Sequence, residues 1–143
     1  MMPPIHSLLL EVLETCGSSE ATYWEDVEDG SNLVALVNAG PGPSRLEGLR
    51  VPIDGSLVGM VLCTGMAMAV GPDAAYHPAA REATGIKTEA MAAAPVRVNG
   101  RTTGVLSAIN PLGRHLFSQV DLETLQRKSL LLGRILEGRS HAS

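Results

Sequence analysis

The sequence predicts an α+β domain built on an antiparallel sheet of five to six strands. Three observations carry this. Asp29-Gly30 and Asn99-Gly100 each sit between strand-like runs, and such pairs favour tight hairpins because they accept positive φ. A compact block from Leu49 to Val70 reads as strand, helix and strand with almost no slack. Broadly apolar helices bracket the chain at both ends. Hairpins make neighbouring strands antiparallel, and helices segregated from the strand runs mark α+β rather than alternating α/β.

The elements follow in order. Pro3 and Pro4 precede a helix over residues 5–16, where a missing first-turn amide is harmless. Ile5, Leu9, Val12 and Cys16 form one stripe, while Leu8, Leu10 and Leu13 lie off it, so the helix needs more than one neighbour. Gly17 ends it. Ala21–Glu28 and Asn32–Val37 read as the strands of the first hairpin, with a solvated acidic tip whose spacing does not match a calcium loop. Residues 38–48, with Pro41, Gly42 and Pro43, read as a loop.

Leu49–Ile53 is extended, since the residue before Pro52 is pushed away from helix. Asp54, Gly55 and Ser56 turn the chain, and Ser56 or Asp54 caps a helix lined by Leu57, Val58, Val61 and Leu62. Gly65 closes it, and Met66–Val70 runs extended. Gly59 inside this helix costs about 1 kcal/mol relative to alanine, which implies close approach to a sheet or a bound molecule. A short helix over 78–83 precedes the second hairpin, Ala90–Val98 and Thr102–Ile109. Ser118 and Asp121 form a capping box, with Phe117 and Leu122 as its staple, for a last helix over 118–137 that frays near Gly138. Glu123 and Arg127 are spaced for an i,i+4 pair.

At 143 residues the chain reads as one domain, 1–143, with 45% hydrophobic residues and no repeat or linker. No apolar run approaches the ~20 residues of a membrane span. The start lacks a basic region and soon carries acids, which argues against a secretory signal and for a cytoplasmic protein. Net charge of −4 argues against nucleic acid. Residues 1–30 hold seven acids and no Lys or Arg, whereas from Arg97 onward seven bases face Asp121, Glu123 and Glu137. The two ends therefore form complementary faces, within a chain or between two chains.

The run VPIDGSLVGMVLCTGMAMAV, followed by TGIKTEAMAAAPV, GRTTGVLSAIN and FSQVDLETL, resembles the GAF domain over nearly the whole chain. The resemblance implies that the terminal helices pack on one sheet face. A short helix and loop then form a lid over a pocket on the other. It also implies a role in signal transduction, in a family that holds sensors, switches, scaffolds and a few enzymes.

Chemistry is sparse. His6, His77, His115 and His141, with Cys16 and Cys63, show no metal-ligand spacing, and no cofactor is implied. Residues 55–59 are not a nucleophile elbow, and phosphate loops are absent from the sequence. The family's cyclic-nucleotide motif is matched at Asn110, Phe117 and Asp121, but Pro111 replaces its lysine and Leu122 its final acid. Free methionine-R-sulfoxide reductases are stand-alone GAF domains with clustered pocket cysteines. Here Cys63 falls on the pocket-side helix and Cys16 on a terminal one, so no attacking and resolving pair is evident.

A non-catalytic module is expected, acting through a homodimer or a regulatory protein partner. The expected interface comprises Ile5, Leu9, Val12, Leu13, Leu125, Leu132, Ile135 and Leu136, so that Leu9→Glu or Leu132→Glu leaves a folded monomer. A small-ligand sensor is the alternative, with Cys63, Met66, Met68, Tyr76, Arg81, Thr84, Lys87, Thr88, Ala92 and Asn110 around the ligand. The alanine-rich strand 90–94 favours a tightly packed lid over an open pocket.

Overall fold

The computed structural model describes residues 2–41 and 46–142, with side chains over 4–41 and 46–138. Gly42 and Pro43 of the expected loop lie outside the described residues. Ten elements follow in order: α1 (Met2–Cys16), β1 (Ser18–Asp26), β2 (Asn32–Ala39), β3 (Arg50–Pro52), α2 (Leu57–Thr64), β4 (Met68–Val70), α3 (Ala79–Thr84), β5 (Met91–Val98), β6 (Arg101–Pro111) and α4 (Gln119–Ala142). The six strands form one antiparallel sheet in the order β3-β2-β1-β6-β5-β4.

Element type agrees with the sequence reading throughout, and boundaries differ where pairing rather than composition decides them. β1 begins at Ser18 because Ser18 and Glu20 pair with Pro111 and Ile109 of β6. Asn38 and Ala39 extend β2 by pairing with Thr22 and Ala21. β4 starts only at Met68, which leaves Met66 out in solvent. The last helix runs past Gly138 to Ala142.

Local signals work as chemistry requires. Ser56 Oγ accepts from the Gly59 amide at 3.0 Å, and Gly65 takes φ +68° to close α2. Gly59 lies over the backbone of Ile53, where an added Cβ would collide with the carbonyl oxygen. The close approach is therefore to the chain itself. At the α4 entry the Ser118 amide donates to Asp121 Oδ2 and the Asp121 amide to Ser118 Oγ, so the capping box is complete. Arg127 donates to Thr124 rather than pairing with Glu123.

β1 lies in the middle of the sheet and is buried on both sides. Ala21 and Tyr23 face α1 and α4, and Trp24 faces α2 and the lid. On the first face α4 lies along β5, α1 along β1 and β2, and the two helices touch. A Lys128–Glu11 ion pair at 2.7 Å joins them across the surface. On the second face α2 packs on β6 and β5 through Val58, Val61 and Leu62.

The expected interface needs correction. Ile5, Leu9, Val12, Leu125, Leu132 and Leu136 are buried within this chain, and Leu13 and Ile135 pack against the same cluster. A regular stripe meets the sheet first, so the six buried side chains have no surface to offer a second copy, and Leu13 and Ile135 keep only a partly exposed edge. Leu9→Glu and Leu132→Glu would place a charge in the core and unfold the protein rather than free a monomer. Among the described residues, the large apolar side chains left outside on these helices are Leu10 (48% exposed), Leu130 (60%), Leu131 (46%) and Val120.

Candidate functional site

The site lies on the second sheet face, under the segment 71–89. Beside the site, the middle strands of this face carry a polar network that meets the cavity only at Trp24. Trp24 Nε1 donates to Ser107 Oγ at 2.9 Å, Thr22 Oγ1 to Asn38 Oδ1 at 2.7 Å, and Asn38 Nδ2 to Glu20 Oε1 at 3.2 Å. All five of these residues are buried, and each donor named here has its acceptor, which rigidifies the network.

The lid is a different construction. α3 has six residues and none is buried. It rests on the sheet-side cluster through Ala79 and Ala80. Its ends are fixed more firmly than its middle. Tyr76 donates to the Gly71 carbonyl at 2.7 Å, beside the end of β4, and Gly71 itself packs on Leu116. At the other end Asn110, at φ +56°, accepts from the Glu89 amide at 2.7 Å and donates to the Lys87 carbonyl at 3.0 Å.

Between lid and sheet remains a cavity of about 50 Å³, lined by Trp24, Val51, Val58, Tyr76, Ala80 and Met91 among others. Ligand sites typically measure roughly 300–1,000 Å³. In this closed form the space suits a few waters, not a nucleotide or a tetrapyrrole. The small side chains of β5 thus serve packing.

Only part of the expected ligand set comes together. Tyr76 and Thr88 line the cavity, and Met68 packs in the cluster beside it. Ala92 is on the wrong face, buried under the terminal helices, because Met91 and Ala93 are the lid-side residues of β5. Cys63 points outward from α2 into an open groove with Ile53, Leu57, Met60 and Ala75. Met66 is 69% exposed at the sheet edge, in a separate groove with Pro95, Arg97 and Leu130. Arg81 and Lys87 are exposed, and the Thr84 hydroxyl donates to the Ala80 carbonyl of its own helix. Asn110 is a clamp, with its amide committed to the lid backbone.

The sequence reading missed Trp24 and His77, both of which line the cavity. Strand alternation held the signal for Trp24, since it shares a face with Thr22 and opposes Tyr23.

The other two positions matched to the cyclic-nucleotide motif are structural as well. Phe117 is buried in the helix-side core. Asp121 binds Arg114, which also donates to the Cys16 carbonyl at 2.8 Å and so joins the end of α1 to the start of α4. Burial pushes the Asp121 carboxyl up. The Ser118 amide, the Arg114 guanidinium and the Ser118 hydroxyl outweigh it, so the group lies below the usual carboxylate range. Burial pushes the Cys16 thiol up, which keeps it protonated and inert. Among the described residues no cluster of His, Cys, Asp and Glu could hold a metal ion, and no helix is long and apolar enough to cross a membrane.

A central antiparallel sheet, paired terminal helices and a lidded second face are the layout that the sequence blocks implied. The GAF-domain family matches residues 5–136. This chain is a GAF domain. Among solved structures it is similar to the second GAF domain of DevS from Mycobacterium smegmatis, at 15% identity and TM-score 0.78 over 99% of both chains. It is similar to the GAF domain of a phosphoenolpyruvate-protein phosphotransferase from Coxiella burnetii, at 17% identity and TM-score 0.80 over 98% of this chain and 84% of that one. It is also similar to free methionine-R-sulfoxide reductase from Neisseria meningitidis, solved with its substrate, at 21% identity and TM-score 0.77 over 99% of this chain and 80% of that one. At these identities the likeness is one of fold. No curated protein matches the chain in sequence. The GAF fold typically serves as a signalling or sensor module.

Proposed function

We propose that this GAF domain is a non-catalytic signalling module that acts by association through its terminal helices, with the under-lid site as its regulator. The observation that carries the reading is the outer surface of those helices. Leu10, Leu130 and Leu131 are exposed there although the helices already have full cores behind them. The charges beside them are opposite in sign: Glu14 on α1, with Glu11 already paired to Lys128 of its own chain, and Arg127 and Arg134 on α4. A two-fold pairing that lays each α1 against the other copy's α4 joins both features twice. Two free cysteines fit a reducing, cytoplasmic setting.

The test is sedimentation velocity on the wild type and on Leu131→Glu. The wild type should sediment as a dimer. Leu131→Glu should sediment as a folded monomer, its thermal midpoint lowered only by the lost association and independent of protein concentration, because the side chain lies at the surface. A monomeric wild type would redirect the reading to a different protein partner.

A small-ligand sensor is the second reading, favoured by a short lid held at its ends over a small cavity. The reductase reading has less support. Cys16 is buried under the terminal helices, whereas Cys63 faces outward on the lid side of the sheet. Disulfide exchange needs two sulfurs that can meet. A thiol-coupled assay on free methionine sulfoxide, comparing wild type with Cys63→Ser, checks it, and no turnover is expected from either.

A further inference from the structure

We propose that Tyr76 is a resident plug: its phenol fills, from within the chain, a site that accepts a small neutral ring bearing a hydroxyl donor when the lid swings away. The proposal rests on the under-lid region being the regulatory site, and it names the ligand class that site takes.

The plug is visible in what Tyr76 touches. Its half-buried ring lines the same small cavity as Trp24, Val58 and Met91, and its hydroxyl donates to the Gly71 carbonyl. That acceptor belongs to the end of the sheet, next to β4 and packed on Leu116, so it stays when the lid leaves. The lid can leave. Its helix buries nothing, its ends are held at Gly71 and Asn110, and the stretch between them is the thinnest contact on the sheet. Segments with so little buried surface open far more cheaply than the core.

Ligand class follows from the lining. Moving the Tyr76 ring out adds its volume to the existing 50 Å³ or so, and an apolar cavity of roughly 150 Å³ holds benzene. The walls offer the Trp24 indole with its N–H already committed to Ser107, aliphatic Val51, Leu57 and Val58, and the Met91 thioether; of the uncharged polar residues beside them, Ser56 is occupied capping α2, His77 accepts from the Ala79 amide, and Thr88 completes the lining. Flat rings suit such walls. No Lys, Arg, Asp or Glu lines the cavity, so neither carboxylates nor phosphates are matched. The Gly71 carbonyl accepts from the Ala74 amide at 3.2 Å as well as from the phenol, so a hydroxyl on the ligand would take over the shorter of its two hydrogen bonds. Burial, helped by the Glu89 charge, pushes the Tyr76 hydroxyl up and keeps it a donor.

The experiment uses p-cresol, the Tyr76 side chain as a free molecule, with the single Trp24 as reporter. In Tyr76→Ala, p-cresol should change Trp24 fluorescence saturably. At ten times its Kd it should raise the thermal midpoint by about 3–6 °C. Wild type should need at least about tenfold more p-cresol, and toluene should bind the variant roughly tenfold more weakly because it cannot replace the phenol's hydrogen bond to the Gly71 carbonyl. Equal responses from wild type and variant, or no response from the variant, overturn the plug. Should Tyr76→Ala not fold, Tyr76→Phe keeps the ring and loses the tether. Acrylamide should then quench Trp24 at least about twofold faster than in wild type, and an unchanged rate overturns the proposal. Sedimentation of the same samples reads the association model separately, because a monomer that binds p-cresol sinks that model and leaves the plug standing.

Discussion

On one face of the sheet α1 and α4 bury Ile5, Leu9, Val12, Leu125 and Leu132 without residual exposure, whereas on the other the lid helix α3 buries no residue at all. Both faces use the same strands. β5 shows this most plainly, with Ala92, Ala94 and Val96 under α4 and Met91 and Ala93 toward the lid. The difference lies in what covers them. Long helices supply repeated aliphatic contacts that hold the domain together. The short tethered lid supplies a few hydrogen bonds at its ends and little packing between. A fold built this way keeps its stability under the terminal helices and α2, and its adaptability under the short lid.

Substitutions can break that contrast, and the helix face should respond most. Leu132→Ala should destabilise the domain by about 2–5 kcal/mol in urea unfolding, because it opens a cavity at a fully buried position. A loss below about 1 kcal/mol would mean that the helix face is no stiffer than the lid face. Gly59→Ala comes next. Alanine should help the helix by about 1 kcal/mol on propensity alone, yet it meets the Ile53 carbonyl, and the net loss should be about 1–3 kcal/mol. A gain in stability would show that α2 can shift away from the Ile53 backbone.

Smaller effects sharpen the comparison. Asn110→Ala removes the clamp at one end of the lid and puts a less tolerant residue at positive φ, which should cost about 1–2 kcal/mol. The consequence should be local, with faster amide exchange across 71–89 and little change in α1.

The smallest effect is a pH dependence at the joint between α1 and α4. The folded Asp121 carboxyl lies below its unfolded value. Its contribution is therefore full above the unfolded range and lost as pH falls through the lower folded value. Asp121→Asn should cost about 1–2 kcal/mol at pH 7. It should also flatten the fall in thermal midpoint between about pH 4 and pH 2.

Much of the fold was legible in local chemistry. The Ser118–Asp121 box, the Ser56 cap and the Asn99-Gly100 hairpin are short-range signals that form as the residue types require, whereas the first hairpin forms with a longer turn than Asp29-Gly30 predicts, because β1 stops at Asp26 and residues 27–31 make the connection. The site was less legible, for identifiable reasons. In Ala90–Ala94 nearly every side chain is small, so alternation could not tell Ala92 from Ala93, and one fell on the wrong face. Asn110 matched a motif position, but only geometry shows its amide holding main chain. The two end helices read correctly as apolar over a wide arc. Their regular stripes turned inward to the sheet, and the irregular leucines Leu10, Leu130 and Leu131 were left outside. Periodicity identifies the face with the strongest call on the core, and the surplus residues mark what remains for a partner.

Native-state hydrogen exchange across the whole chain tests the contrast most directly. Amides of Ala79–Thr84 should open at free energies several kcal/mol below those of residues 122–136 in α4, whose exchange should require global unfolding. Lid and α4 amides that open at one common free energy would contradict the account.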